Sequence, residues 1–438
     1  MTRSLAIRGA TLVTLDPDVG VVPDGLLVLE DGRIREAGEN PGADPRADDF
    51  IDGRGLIALP GFVNAHMHTR PVRALGDELP VPEWHTRYAD GVSILMDDDD
   101  SRKGALLAFA ECLLAGYTSA LAMPVKPQGC FRGAVEIGIR AGVAPHTADQ
   151  PLIEGSCDTI EDNARLIETC GVSAGERVHS WLGFDVLAGC SDEMIRGMRQ
   201  TAGRFGVRVH GHMSEHRGEV DYALERWGKR PPVALEDLGL LGPDLVLAHC
   251  VKTDRDDIET LARTDTKVVH NPVSNMKFGS GGAPVAAMLE AGVTVALGTD
   301  GMLSTYRLDP FETMRQALNL QRLLAEDATA LRTERALEMT TLHGNRALGF
   351  DGGRLRPGLN ADVVLIDSRR LQLTPRARGV HDNLIALLVW SASAADVDTV
   401  IVDGTVAVRN RTLTLVDEET VRREAQEASD RLLERLVV

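Results

Sequence analysis

Three textures follow one another along the chain. Up to residue 60, short apolar runs alternate with polar positions in "SLAIRGATLVTL", "GLLVLEDGRIREAG" and "FIDGRGLIALPG". A period of two predicts strands, and Asp31-Gly32 between two such runs predicts a hairpin. From 61 to 345 the rhythm changes. Short apolar runs ("YTSALAMP", "VHSWLGFDV", "GVRVHGHMSE", "DLVLAHCV", "KVVHNPV", "GVTVALGTD") are separated by helical patterns such as "SRKGALLAFAECLLAG" and "PVAAMLEAG". The acidic run Asp97–Asp100 stands where the first of these helices needs its N-terminal cap, and Gly116 where it should stop. After residue 346 the strand texture returns in "GGRLRPGLNADVVLIDSR" and "VDTVIVDGTVAVRNRTLTLVD", and a last helix closes the chain. Repeated strand–helix alternation predicts an α/β fold, a (β/α)8 TIM-like barrel over 61–345. Residues 1–60 and 346–438 are expected to join as a smaller β-sandwich built from both chain ends, with the terminal helix appended.

Bulk properties narrow the function. The 438 residues are 43% hydrophobic and 26% charged, ordinary for a globular protein. Forty-seven basic against 65 acidic residues give a net charge of −18, which disfavours nucleic acid and anionic membranes as partners. The N-terminal residues lack the apolar core of a signal peptide, and no run is long enough to span a bilayer. Six cysteines without a CxxC pair read as reduced thiols, so a cytoplasmic location is expected. No glycine-rich phosphate loop follows the early strands.

Polar residues cluster at the ends of the barrel-like runs. His66 and His68, two apart on an extended backbone, face the same side. His212 and Glu215 end another run, followed by His249, His270 and Asp300 on the next three. Five of the twelve histidines fall on these ends, six with His210. In a (β/α)8 barrel the strands' C-terminal ends share one mouth. Three imidazoles and a carboxylate suit a divalent ion such as zinc or iron, which lowers the pKa of water toward about 7. A carboxylate at Glu215 can relay a proton to a leaving group, which is hydrolysis at a carbon bearing nitrogen.

Together "LPGFVNAHMH", "HMSE", "LAHCV", "HNPVSNMKFGSG" and "LGTDG" resemble the amidohydrolase superfamily. Within it they look like the branch of cytosine deaminase, S-adenosylhomocysteine/methylthioadenosine deaminase and triazine chlorohydrolase. The resemblance implies His66, His68, His212 and Asp300 as ligands of one metal ion, most often zinc, with iron as the other option. It implies His249 as a hydrogen-bond donor at the reacting centre, and Glu215 and Asp300 as proton carriers. "VHSWLGFDVLAG" has no lysine of the kind two-metal members carry, so one ion per chain is expected. His270 and Asn275 stand in a segment that usually lines the substrate. Arg73, Glu83 and Trp84 in "RALGDELPVPEW" resemble a pocket-shaping stretch of adenosine-type deaminases. Where those members carry a histidine after the fourth strand, this chain has Asp185. The expectation is a carboxylate for a cationic or donor-rich group, in place of a simple adenosine-like substrate. His210 is expected to pack behind the site. The implied activity is a metal-dependent aminohydrolase, in which a metal-activated hydroxide releases ammonia from an amino-substituted heterocycle or nucleoside. The alternative is a sibling hydrolase expelling chloride or an alkylamine, or opening a cyclic amide or amidine. A small-molecule substrate and a homo-oligomer are implied as partners.

Overall fold

The computed structural model describes residues 4–42, 47–173 and 176–436. Eight parallel strand positions close a barrel. They are β1 (Phe62–His68), β2 (Tyr117–Ala122), β3 (Arg140–Val143), β4 (Val178–Ser180 and Leu182–Phe184), β5 (Val209–Met213), β6 (Leu245–His249), β7 (Lys267–His270) and β8 (Val295–Leu297 and Asp300–Gly301). Two of them are broken. The first half of β4 pairs with β3 and its second half with β5, while β8 leaves β7 and crosses to β1, where Asp300 stands opposite Met67. Closure therefore brings Asp300 beside the His66/His68 strand. Gly301, at φ +114°, sits so close to β1 that a Cβ would lie 2.7 Å from the His68 carbonyl oxygen.

Nine strands from both chain ends form one continuous sheet. Its seam is the antiparallel pairing of Leu56–Pro60 with Val363–Asp367, Pro60 opposite Val363. Gly61 alone separates this sheet from β1, and it is glycine for a steric reason: a Cβ would lie 2.1 Å from Thr118 Oγ1. The hairpin expected at Asp31-Gly32 joins Val21–Glu30 to Arg33–Glu39 with both residues at positive φ.

The helix Asp98–Leu114 starts as its sequence predicts. Asp97 accepts from the amides of Asp99 and Asp100, and the Asp100 carboxylate accepts from the Asp97 amide. Its outer face carries Arg102, which pairs with Glu424 of the terminal helix Glu418–Arg435 at 3.0 Å. Barrel and end sheet are stitched by Arg140 of β3, whose guanidinium meets Asp362 at 2.7 Å and Asp403 at 3.0 Å in a mostly buried setting. Among the described residues no helix is long and apolar enough to cross a membrane.

Candidate active site

The strand ends converge as the chain order requires. His66 Nε2 lies 3.1 Å from Asp300 Oδ1, His68 Nε2 lies 3.2 Å from His212 Nε2 and 3.7 Å from Asp300 Oδ1. His66, His212, His249 and Asp300 offer donor atoms all within 4.8 Å of one another. Two of these residues take left-handed backbone angles that non-glycine residues seldom adopt: His249 at φ 75° and Asp300 at φ 67°. Strain of this kind, about 1–3 kcal/mol per residue, is held in place by the closed barrel and turns the side chains inward.

Hydrogen bonds behind the rings fix which nitrogen carries the proton. His68 Nδ1 faces the Met123 carbonyl at 2.8 Å, and His212 Nδ1 the Asp185 carbonyl at 2.8 Å. A carbonyl only accepts, so both Nδ1 atoms donate and both Nε2 atoms present lone pairs. His66 is held one step further back. Its Nδ1 lies 2.8 Å from His210 Nε2, and His210 Nδ1 donates to the Val246 carbonyl at 2.9 Å. His210 Nε2 is thereby the acceptor, and His66 Nε2 presents a lone pair too. With all three rings neutral, three lone pairs and a carboxylate oxygen thus face one another. Such a donor set is unfavourable without a cation and has the composition of a three-imidazole, one-carboxylate site for a divalent ion.

Electrostatics agree with this geometry. Burial pushes His66 down to about 3 despite its bond to Asp300, and His68 and His210 well below their ordinary value, so these rings are neutral. His212 differs: burial works against its charge, but Asp185 more than offsets this and pushes it up to about 9. Its second proton would occupy Nε2, the position a metal cation would take. Burial works against the Asp300 carboxylate, yet the His66 bond and the surrounding imidazoles hold it well below the usual range. Asp300 Oδ2 also accepts from the Ser274 hydroxyl at 2.6 Å.

Glu215 borders the same space, with Oε1 3.3 Å from the Ser280 hydroxyl and 3.8 Å from His249 Nδ1. Burial, and then the Asp300 charge, raise its pKa from the ordinary value. His249 Nδ1 takes a hydrogen bond from the Asn275 amide at 2.9 Å, which leaves its proton on Nε2, 3.9 Å from Asp300 Oδ1. Burial lowers this ring to about 3, so it is neutral.

Above the cluster is a small cavity of about 30 Å³, lined by His68, His212, Glu215, His249 and Asp300 and also by Trp84 and Phe278. Those two rings pack edge to face with centroids 4.8 Å apart. Trp84 is 5% exposed and donates to the Leu75 carbonyl. Asp185 also lines the cavity, but it already has partners there: His146 Nε2 at 2.8 Å and His212 Nδ1 at 3.5 Å. Burial opposes its charge and these two imidazoles outweigh burial, so it stays ionised.

Three residues expected against the substrate stand off the cavity lining. Arg73 turns outward and is tied to the Glu111 carboxylate and the Tyr306 carbonyl. Asn275 is engaged with the back of His249. His270 is fully enclosed behind the strand end, and among the described residues neither ring nitrogen has a hydrogen-bond partner. Glu83 is on the outside, paired with Arg87. Conversely, the sequence reading passed over Arg70 and His85, which line the cavity, and His146, which lies behind it. Arg70 sits two residues beyond His68, and His146 follows the β3 run "IRAGVAPH", so position after a strand end was the available signal. His146 also stands 3.5 Å from Cys157 Sγ, a thiol whose pKa burial pushes up.

Comparison with known proteins gives a consistent picture. A model of the amidohydrolase family matches residues 57–407. A 5'-deoxyadenosine deaminase from Methanosarcina acetivorans is 35% identical over 98% of this chain and 99% of its own. A 5-methylthioadenosine/S-adenosylhomocysteine deaminase from Desulforudis audaxviator is 39% identical, again over 98% and 99%. A zinc-bound adenosine deaminase from Xanthomonas campestris superposes with a TM-score of 0.91 at 26% identity, covering 99% of both chains. An atrazine chlorohydrolase from Arthrobacter aurescens, at 24% identity and a TM-score of 0.88, shares the fold. With a family model over most of its length and full-length relatives at this identity, the chain belongs to the amidohydrolase family.

Proposed function

We propose that this chain is a metal-dependent aminohydrolase, which releases ammonia from an amino-substituted heterocycle or nucleoside. The observation that carries the reading is the convergence of three imidazole lone pairs on Asp300 Oδ1, with the buried Glu215 carboxyl on the same cavity. In this reading His66, His68, His212 and Asp300 hold one divalent ion, zinc first and iron second. The ion would supply Lewis acidity, bringing the ionisation of water toward about pH 7. Glu215 takes a proton from the attacking water and passes it to the departing amine. Its raised pKa suits both halves of that task near neutrality. His249, its proton held on Nε2 by Asn275, donates to the oxygen that adds to the ring carbon. Asp300 Oδ1 accepts the second proton of the water and gives it up again, so that it ends on the ring nitrogen beside the new oxo group. Water is consumed, the C–N bond breaks, and the products are an oxo-heterocycle and ammonia. Trp84 and Asp185 border the substrate.

The curated relatives named for adenosine derivatives support the amine as leaving group. The reading extends to a cytoplasmic enzyme with reduced thiols, and to a homo-oligomer, which light scattering of the purified protein would test. The central test is ammonia release from a panel of amino-heterocycles and nucleosides, alongside metal analysis. One ion per chain is expected, and Glu215→Gln should cut turnover by about 10²–10⁴-fold while retaining the metal. A fully metallated protein that releases chloride or an alkylamine, and ammonia from nothing, would overturn the deaminase reading.

A further inference from the structure

Among the described residues, one arginine on the cavity has carboxylates near it but none in ion-pair contact. Arg70 is 6% exposed and lines the cavity beside His68, His85 and Asp185. Its Nε donates to the Ser93 hydroxyl at 2.9 Å, and Ser93 in turn donates to the Ala89 carbonyl at 2.7 Å. Among the described residues that is its one hydrogen bond, and no carboxylate oxygen comes within 4.0 Å of the guanidinium. The neighbouring carboxylates are otherwise engaged: Asp90 with His85 at 3.7 Å, Asp185 with His146 at 2.8 Å. The other buried arginine of the barrel, Arg140, has two carboxylate partners. A buried guanidinium without an anion in contact is costly; among the described residues neither Nη group makes a hydrogen bond or is fully enclosed, and the side chain lines the cavity. Ser93 fixes the Nε edge and leaves the Nη fork free.

We infer that Arg70 is a substrate-binding residue, and that the ring deaminated here carries a pair of adjacent hydrogen-bond acceptors that the fork engages. Two chemistries supply such a pair: an oxo group beside an unprotonated ring nitrogen, or a carboxylate on the ring. Arginine takes both in bidentate fashion, the first as in its pairing with the O6/N7 edge of guanine. Adenine has no oxo group, so this substrate departs from the adenosine derivatives for which the relatives are named. The inference rests on the deaminase reading for the word "substrate". The fork itself predicts a binding preference that exists whatever bond is broken.

The test therefore separates binding from turnover. In metal-loaded Glu215→Gln protein, calorimetry measures two ligand pairs: 2-amino-6-oxopurine against 2-aminopurine, and 2-aminopyrimidine-4-carboxylate against 2-aminopyrimidine. At least one acceptor-bearing ligand should bind about 10- to 100-fold more tightly than its partner, and adding Arg70→Gln should erase that preference. The pair that shows it identifies the source of the acceptors. No preference in either pair, or a preference that survives Arg70→Gln, overturns the inference. Should Arg70→Gln fail to fold, Arg70→Lys keeps the charge without the fork and must still lose most of the preference. Ammonia release is measured separately on the unmutated enzyme. Preference without ammonia removes the deaminase reading alone, and ammonia without preference removes the role of Arg70 alone.

Discussion

His210 makes no contact with the cavity, yet it determines which nitrogen of His66 is available. Its acceptor nitrogen, 2.8 Å from His66 Nδ1, is itself set by the Val246 carbonyl. Replacing His210 by Phe leaves the His66 N–H buried without an acceptor and frees the ring to rotate. We expect zinc affinity, read by competition with a chromophoric chelator, to fall about 10- to 100-fold. Asp158 is a different case. It is 4% exposed, and among the described residues its carboxylate accepts only the Lys126 amide. Burial pushes its pKa up to about 7 against an ordinary 3.8. The folded chain therefore binds this proton more tightly than the unfolded chain. The stabilisation is complete below about pH 4 and is lost as pH rises through about 7, with a span of order 4 kcal/mol. Asp158→Asn has no charge to bury, so its stability relative to the unmutated protein should rise steadily from pH 5 to pH 8 in denaturant titrations. A difference flat in pH would contradict this account.

At the scale of the element, the acidic run before Asp98–Leu114 is a capping device. Asp97 and Asp100 satisfy each other's backbone amides, and a first turn rich in carboxylates meets the positive end of the helix dipole. Asp97→Ala should cost about 1 kcal/mol in urea unfolding and leave ligand binding unchanged. The broken strands are a second element-level device. Strands β4 and β8 each end one pairing and begin another; Asp300 opens the second half of β8, and Asp185 directly follows the second half of β4. The left-handed angles at His249 and Asp300 belong to the same design. Apolar runs in the sequence announced these strands, but the breaks within them follow from closing eight strands into one cylinder.

For the molecule as a whole, the junction that matters joins the barrel to the end sheet. Arg140 is 4% exposed between Asp362 and Asp403, residues more than two hundred positions away. Removing Asp362, the more buried partner, leaves the buried guanidinium with the part-exposed Asp403 alone. Asp362→Ala should destabilise the chain by about 3–5 kcal/mol, far more than loss of an exposed pair such as Arg255–Glu259. Thermal unfolding monitored on both variants would check the contrast.

The sequence by itself determined the strand–helix alternation, the capped helix and the hairpin, because those depend on residues a few positions apart. It also determined which strand ends bear the imidazoles and carboxylates of the candidate site, since the one-face placement of His66 and His68 needs only an extended backbone. Tertiary structure decided everything that depends on distant partners. His66 meets His210 across 144 residues, Asp185 finds His146, and Asn275 is drawn behind His249 and so off the cavity. Arg73 finds Glu111, while among the described residues no carboxylate oxygen comes within 4.0 Å of Arg70, three residues earlier. The two arginines are the same residue type in the same short segment. Only the packing of the closed barrel assigns one to the surface and the other to the cavity, because a side chain's partners are set by which strands become neighbours.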